Sequence, residues 1–477
     1  MIKLSAPLEK LLRDARIDLV LSRIEKDESV LNEVIKYIDS DIRSIKFNSI
    51  HVLGEVGKKS AHAVAKIVSC LEDDDWSICR EAARSLGKIG NVAKEAVSYL
   101  SGLLGDNEES IRKEAAIALG KIGNPTLESI SSLVKALDDD SENVRTEVAR
   151  ALGEFGTEAY EAIPYLMKSL KDISWTVRTA SAQSLSLIGK ESTKAIPNLI
   201  NALEDPDWRV RYRVSNTLTE IGEAAVPSLL KILNHKNEIV RKEAIDTLGE
   251  MKIADPKIIE NISILLTDKA EMVRGKSAAA LRSIGKPAVL SLITGLEKAK
   301  NKMKIIIISA LGGIGTEAEE AIPTLVNLLK NPAQEEKYTP KYGFIIKRGI
   351  LAFLKDPLAR KVTIRVESAR ALGKIGIDSV DAIDALESAM NDPKSIVRRE
   401  AALSLGKLGS SATKAIPMLI KALEDRNPDV RWRTSEALAK IGVNTEEIIT
   451  SLNALIHDKC DYVCESAINA IDDLTEQ

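Results

Sequence analysis

The sequence is poor in the residues that usually build catalytic and metal sites. Its 477 residues include 4 cysteines, 4 histidines and 16 aromatics (4 Trp, 8 Tyr and 4 Phe). Four cysteines do not make a disulfide framework for a chain of this length. The scattered histidines His51, His62, His235 and His457 supply neither a nucleophile–base pair nor a metal cluster. We therefore predict a non-enzymatic protein without a cofactor or a bound metal.

The sequence also lacks an excess of either charge and any long apolar run. Its 67 Lys and Arg stand against 70 Asp and Glu, which argues against a nucleic-acid clamp over the whole chain. No window approaches the roughly 18 apolar residues of a membrane-spanning helix. The first residues do not have the pattern of a secretory signal. We therefore expect a cytoplasmic protein with no transmembrane segment.

What the sequence does have is an aliphatic core composition and a repeat. Hydrophobic residues make up 44% of the chain and aromatics only 3%, so the core consists of Ala, Ile, Leu and Val, which suit close packing between helices. One phrase recurs along the chain: an Asp, a Val-Arg pair whose Arg lies six residues after the Asp, and then Leu-Gly and Ile-Gly. Successive copies are 33 residues apart, except for two spacings of 30 and one of 61. We call the Arg position of this phrase the slot. The slots fall at 46, 79, 112, 145, 178, 211, 241, 274, 304, 365, 398, 431 and 464.

Each repeat predicts two helices. The first runs like 161–170, with a Pro early, where a missing N–H is tolerated. The second, which we call the slot helix, places residues such as Val144 and Val148 on one buried stripe, and Gly156 offers the left-handed conformation that ends it. Asp172 and its equivalents lie where the N-terminal amides of a slot helix need acceptors. Since one pair cannot bury both its faces, we predict an all-α solenoid of about 13–14 helix pairs.

Two phrases resemble the consensus of the phycobilisome-lyase (PBS lyase) HEAT-like repeat family, namely Trp208-Arg-Val-Arg-Tyr212 and Ala401-Ala-Leu-Ser-Leu-Gly-Lys-Leu-Gly409. The resemblance covers nearly the whole chain and implies an armadillo-like helical superhelix. It further implies that the first helices lie on the convex side and the slot helices on the concave side. The slot Arg and the Asp are then expected to form a ladder of hydrogen bonds between stacked repeats. Such a motif specifies a fold far better than a function.

The domain prediction is one solenoid over 1–477, with a degenerate N-terminal capping unit at 1–40 and a C-terminal capping unit at 443–477. The spacing of 61 places an insertion of about 28 residues, at 332–359, between the two helices of one repeat. Its second half is a basic amphipathic stretch. It fits a helix packed on the solenoid, a partner-binding element or a membrane-surface element. The predicted binding residues of the insertion are Tyr338, Tyr342, Phe344 and Phe353.

Two slots hold cysteine instead of arginine, Cys79 and Cys464, so we expect the ladder to be interrupted there. His457, Cys460 and Cys464 offer three candidate metal ligands near one helix start. A structural zinc site needs a fourth ligand, and none is apparent. Small thiols are also common in protein cores, so no metal site is predicted.

Positions −3, −2, +1, +2, +5 and +9 from the slot lie off the apolar stripe, and we expect them to line the groove. All four tryptophans fall on these rows, Trp76, Trp175 and Trp208 at −3 and Trp432 at +1. A tryptophan at −3 fits packing between repeats as well as partner binding, whereas Tyr212 and Trp432 favour binding. The predicted partner-binding residues are Trp175, Gln183, Trp208, Arg209, Tyr212, Arg213, Asn216 and Trp432.

The function predicted from these features is a scaffold that binds a partner protein or an extended peptide along the concave face. The open ends of such a stack also allow self-association. One alternative is a bilin lyase or chaperone-like subunit that acts on a chromophorylated protein. The His-Glu pairs of a di-iron hydroxylase with this architecture are absent. A second alternative is a nucleic-acid-associated adaptor, because basic residues cluster between 80 and 121, but acids at 81, 109 and 114 interrupt them and argue against nucleic acid.

Overall fold

The computed structural model describes residues 6–331 and 363–476, which fold into α-helices joined by turns and short 3-10 segments, with no strand in those two ranges. Within those two ranges, thirteen pairs of a first helix and a slot helix follow one another, after two short helices at the start. The predicted all-α repeat fold is therefore confirmed. The insertion at 332–359, with its four predicted binding aromatics, lies outside the described residues.

The chain divides into two compact units, Met1–Ile232 and Leu233–Gln477. The prediction of one continuous solenoid with capping units at 1–40 and 443–477 stays a prediction. Unit 1 opens with the helices Leu8–Arg13 and Ile17–Lys26. Its first helices are Ser29–Lys36, Val64–Ser69, Val97–Leu103, Leu127–Ala136, Ile163–Ser169, Ile196–Ala202 and Val226–Ile232. Its slot helices are Arg43–Val56, Trp76–Ile89, Glu109–Ile122, Glu142–Glu154, Trp175–Ile188 and Trp208–Ile221.

Unit 2 repeats the same plan. Its first helices are Pro256–Ile264, Val289–Lys298, Ile322–Lys330, Val380–Ala389, Ile416–Ala422 and Glu446–Leu455. Its slot helices are Glu238–Met251, Glu271–Ile284, Asn301–Ile314, Ile364–Ile375, Ser395–Leu408, Pro428–Ile441 and Asp461–Thr475. Within each unit, every slot helix packs against its neighbouring slot helices and, where a first helix precedes it in that unit, against that first helix.

The local sequence accounts for the helix boundaries. The side chain of Ser141 accepts a hydrogen bond from the Asn143 N–H and so caps the slot helix Glu142–Glu154. Gly156 takes a φ of +59° just beyond its end, as predicted. The next helix begins at Ile163 rather than at 161, because Gly156–Ala162 forms a 3-10 segment that carries the chain across to it.

Glycines in the Leu-Gly phrase allow slot helices to approach one another closely. A Cβ on Gly406 would lie 2.8 Å from the Cα of Ala437 in the next slot helix, closer than real Cβ atoms come to backbone. A Cβ on Gly87 would lie 2.9 Å from the Cα of Ala118. The glycine therefore sets how tightly successive repeats stack.

The core of each unit is aliphatic. In the slot helix Glu142–Glu154 the predicted stripe of Val144, Val148 and Leu152 is fully buried. Within the described residues, no helix is both long enough and apolar enough to span a bilayer.

Candidate partner-binding site

A ladder of arginine–aspartate pairs holds successive repeats together. Arg145 donates from Nε and Nη2 to the two carboxylate oxygens of Asp172, 2.7 and 2.9 Å away in the next repeat. Its Nη1 donates to the carbonyl of Asp139 at 2.8 Å. This bidentate geometry is the strong form of the Arg–carboxylate hydrogen bond. The predicted ladder is confirmed. The same bidentate contact, which we call a fork, is formed by Arg112, Arg178, Arg241, Arg398 and Arg431.

The ladder aspartates brace the turn before the slot helix rather than the helix itself. Asp172 Oδ1 accepts from the N–H of Ser174, at 2.8 Å, and Ser174 is the residue that precedes the helix. The aspartate was predicted to accept hydrogen bonds from the N-terminal amides of the slot helix. It instead accepts one from an amide of the turn just before that helix. Although burial alone would raise the pKa of Asp172, the donations from Arg145 and from the Ser174 N–H hold it below its ordinary value.

Cysteine interrupts the ladder as predicted. The thiol of Cys79 donates to the carbonyl of Leu71 at 3.1 Å, in place of a fork to Asp106. Burial raises the pKa of this thiol to about 11. The thiol of Cys464 donates to the carbonyl of Asp458 at 3.1 Å, which reproduces only the backbone contact of a slot arginine.

The prediction that the whole +2 row faces the groove is wrong. Glu81 and Glu400, both at +2, are each 1% exposed, and Ala180 is also buried. These side chains lie on the flank of the slot helix, where the neighbouring slot helix covers them. Burial of a +2 residue depends on the side chains of the neighbouring repeat. The pattern of a single repeat gives no information about those side chains.

The covered carboxylates belong to a second row of ion pairs that the sequence pattern did not reveal. Arg370, at +5, donates to Glu367 at 2.6 Å and to both oxygens of Glu400, in the next repeat, at 2.9 and 3.0 Å. Although burial alone would lower the pKa of the Arg370 guanidinium, the two carboxylates raise it. The opposite signs at +5 of one repeat and +2 of the next were the available signal.

The predicted aromatic residues of unit 1 are brought together on one exposed surface. Trp175 and Trp208 are the first residues of successive slot helices, 37% and 64% exposed, and Tyr212, one turn further along, is 53% exposed. The guanidinium of Arg209 lies 3.6 Å from the ring centroid of Trp175. This cation–π contact bridges two repeats, so Trp175 takes part in inter-repeat packing while Trp208 remains uncovered.

The polar neighbours of these aromatics are partly fixed. Arg209 donates to both oxygens of Asp207, at 3.0 and 2.7 Å, and that hydrogen bonding lowers the pKa of Asp207 to about 2. Gln183, Arg213 and Asn216 are half-buried beside the aromatic surface. Within the described ranges the buried Nε of Arg213 has no hydrogen-bond partner. We call Trp175, Trp208, Arg209, Tyr212 and Arg213 the aromatic cluster.

Trp432, the remaining predicted site residue, lies in unit 2 and so outside this cluster. It is half-buried, with its ring edge-to-face with Tyr462 at 5.6 Å and the guanidinium of Arg433 3.7 Å from its centroid. Tyr462 and Lys440 line a cavity of about 370 Å³ with it. Tyr462 was not predicted, although its place two residues before a slot could have indicated it.

Part of the basic stretch of the early slot helices is paired with neighbouring carboxylates. Arg84 donates to Glu81 at 3.3 Å and to Glu114 at 2.7 Å, and Lys88 donates to Glu55 at 2.5 Å. A nucleic-acid surface needs cations that are available to phosphates. Among the described residues there is no cluster of three or more His, Cys, Asp or Glu that could hold a metal ion.

Solved structures show that the fold is one known from importins. Two crystal structures of importin β match with TM-scores of 0.50 and 0.53, each at 12% identity, over 99% and 95% of this chain and 71% of theirs. A chain from the structure in which Kap95p binding induces the switch loops of RanGDP to adopt the GTP-bound conformation matches with a TM-score of 0.52. That match has 14% identity and covers 96% of this chain and 68% of the other. At such identities the likeness concerns the fold alone.

Family models describe most of the sequence. No curated protein matches the chain. The model for HEAT repeats matches six stretches, 31–120, 64–141, 130–196, 226–302, 350–415 and 396–472, and a second HEAT repeat model matches 195–225. These matches span more than half of the chain and coincide with the helix pairs and the ladder described above. The chain belongs to the HEAT-repeat family.

Proposed function

We propose that this chain is a non-enzymatic scaffold that holds a partner protein, or an extended peptide of one, along the face formed by its slot helices. The aromatic cluster of unit 1 carries the proposal. Trp208 and Tyr212 are each more than half exposed, although large aromatic side chains are rare in this sequence. Trp, Tyr and Arg are the residues most enriched at binding hot spots, and here they lie on two adjacent repeats.

The surroundings of the cluster favour a protein over a nucleic acid. Of the early arginines, Arg84 is paired with Glu81 and Glu114, and the guanidinium of Arg80 lies over the ring of Trp76. Arg209 is likewise held by Asp207 and by the ring of Trp175. A partner that contacts this surface gains apolar area from Trp208 and Tyr212 and meets few free cations, which suits a protein surface.

The finer parts of the proposal extend beyond the cluster. In the proposed complex, Trp432 provides a second aromatic contact in unit 2, and Tyr338, Tyr342, Phe344 and Phe353 of the insertion clamp the partner. The importin-like fold is consistent with a binding role, since the structure with Kap95p is one in which it binds RanGDP. The phycobilisome-lyase subclass and the cytoplasmic location stay predictions.

The test is a matched pair of double variants of the full chain, with capture from lysate of the source cell followed by mass spectrometry. Trp208→Ala with Tyr212→Ala removes the exposed part of the cluster. Tyr99→Ala with Tyr165→Ala removes two aromatics that are each 49% exposed, but on first helices of the same unit. We expect the first pair to lose the principal captured protein and the second pair to keep it.

A direct contact measurement completes the test. A photo-crosslinking amino acid at position 212 is expected to form an adduct with the captured protein, whereas the same residue at position 99 is not. Replacing Tyr212 and Arg213 together is likewise expected to abolish capture with unchanged helicity by circular dichroism. Equal capture by both double variants would refute the site. A coloured preparation that absorbs in the visible range would instead support the bilin lyase.

A further inference from the structure

Three consecutive repeats of unit 2 present a lysine at the same place. Lys374, Lys407 and Lys440 each lie nine residues after a slot, in the last turn of the slot helices Ile364–Ile375, Ser395–Leu408 and Pro428–Ile441. All three side chains are exposed. The three slot helices pack side by side in order, so the lysines follow one another across the stack. We call them the lysine column.

Several carboxylates near the column are already engaged by arginines. Arg370 holds both Glu367 and Glu400 through hydrogen bonds of 2.6 to 3.0 Å. Arg433 donates to Glu436 at 2.7 Å. In the part of the chain that the structure describes, the three lysines form no ion pair. The column therefore has no direct ion-pair partner, although Asp473, at the same position of the next repeat, lines a cavity with Lys440.

The lysines also affect one another. Although Lys407 is exposed overall, partial desolvation lowers the pKa of its ammonium, and the charges of Arg370, Lys374 and Lys440 lower it further. Glu400 alone acts in the opposite direction. An added negative charge at this place would therefore be stabilised by several cations at once.

The same position in unit 1 has the opposite arrangement. There Lys88 donates to Glu55 of the preceding repeat at 2.5 Å. Burial raises the pKa of Glu154 in the repeat after Lys121, and the charge of Lys121 opposes that rise. A lysine in the last turn of a helix is favoured by the helix dipole. That preference explains one lysine in each repeat but not the absence of an ion pair at all three lysines of unit 2, because Lys88 of unit 1 has such a partner.

We propose that the lysine column binds an extended acidic segment of a protein, with a carboxylate at every third residue. Neighbouring helices in a stack lie about 8–10 Å apart. Three residues of a chain in the polyproline II conformation make one turn of about 9 Å, so every third side chain lies on the same face. Successive carboxylates of the segment then reach successive lysines. The column belongs to unit 2 and the aromatic cluster to unit 1, and this proposal does not rest on the function proposed for the cluster.

The experiment measures fluorescence anisotropy of two labelled peptides with the full-length chain. The spaced peptide has Glu at every third residue among Thr and Ser, and the clustered peptide has the same composition with its three Glu adjacent. We expect Lys374→Gln with Lys407→Gln and Lys440→Gln to weaken binding of the spaced peptide about tenfold, as three exposed ion pairs are lost. The unaltered chain is expected to bind the spaced peptide more tightly than the clustered one.

A matched triple variant controls for net charge. Lys330, Lys421 and Lys459 are exposed lysines of unit 2 that lie outside the slot helices. Changing these three to Gln removes the same charge and is expected to leave the affinity within about twofold. Equal weakening by both triple variants, equal binding of both peptides, or no binding of the spaced peptide would overturn the proposal. Tighter binding of an oligonucleotide of equal charge would overturn the assignment to an acidic protein segment.

The proposal for the aromatic cluster and the proposal for the lysine column can be refuted independently. If Trp208→Ala with Tyr212→Ala abolishes partner capture and leaves peptide binding unchanged, the result supports both proposals. Peptide binding that responds to Trp208→Ala with Tyr212→Ala but not to the column variant would overturn the column alone.

Discussion

Arg398 joins two turns of unit 2 through one guanidinium. Its Nε and Nη2 donate to the two carboxylate oxygens of Asp425 at 2.6 and 2.8 Å, while Nη1 donates to the carbonyl of Asp392 at 2.7 Å. The side chains of Arg398 and Asp425 are only 8% and 11% exposed. The pair is thus much closer to a buried ion pair than to a surface one.

Arg398→Ala is expected to destabilise unit 2 strongly. It leaves the carboxylate of Asp425 almost buried without its partner, a situation that costs about 3–5 kcal/mol. The midpoint of urea denaturation, followed by circular dichroism, measures the loss. Lys421→Ala, at an exposed position of a neighbouring helix, is the control and is expected to change the midpoint little. Similar midpoints for the two variants would contradict the role of the ladder.

The ladder also predicts sensitivity to acid. Burial alone would raise the pKa of Asp139 and Asp425, but their arginine partners and a turn N–H lower it overall, and for Asp458 the hydrogen bond from Arg431 is the main cause of a lowered pKa. A carboxylate whose pKa is lower when folded contributes stability above its unfolded value near 3.8 and loses it as the pH falls through the folded value.

We therefore expect the urea midpoint to be nearly constant between about pH 7 and pH 5 and to fall steadily below about pH 4. Several aspartates respond together, so the fall is steeper than one group would produce. A midpoint that stayed unchanged down to about pH 3 would show that the ladder does not contribute to stability.

Two glycines in helices are expected to respond to alanine with opposite signs. Gly406→Ala would place a Cβ 2.8 Å from the Cα of Ala437 and force two repeats apart, at about 1–3 kcal/mol. Gly102 has no heavy atom within 4 Å of an added Cβ, so Gly102→Ala is expected to stabilise its helix by about 0.5–1 kcal/mol. Chemical denaturation of the two variants measures both changes, and a shared sign would contradict the packing argument.

The four cysteines are expected to react in two classes. Cys70 and Cys79 are buried, and burial raises the pKa of both thiols, that of Cys79 to about 11. Near pH 8, only about one Cys79 thiol in a thousand is then a thiolate, the reactive form. Cys460 and Cys464 are half-buried. A disulfide reagent is expected to modify two thiols quickly and the other two only in denaturant, whereas four equal rates would contradict the buried positions.

The helix pairs of this fold can be predicted from the sequence because the residues that determine each pair lie within one repeat. The apolar positions around Val144 and the glycine at 156 act within one helix and its own turn, so they predict that helix wherever they recur. The slot arginine is equally informative, since its partner lies a fixed number of residues ahead.

The candidate site is harder to predict because its contacts depend on which side chains the next repeat brings against it. Glu400 lies off the apolar stripe and yet is buried, because Arg370 of the preceding repeat covers and neutralises it. The stacking of Arg209 on Trp175 is similar, since neither residue alone indicates the other. Reading each row across neighbouring repeats, rather than along one helix, would have exposed both pairs and the lysine column.

The forks of the ladder all point the same way, from an arginine to an aspartate of the following repeat. A proteolytic cut in the 3-10 segment Gly156–Ala162 would leave Arg145 on the N-terminal fragment and its acceptor Asp172 on the C-terminal fragment. The two new ends would then have opposite charges and complementary shapes, while two copies of the same end would repel each other. A nicked chain should therefore re-form its original junction in preference to pairing like with like, which gives the order of the repeats a polarity that hydrophobic stacking alone would not provide.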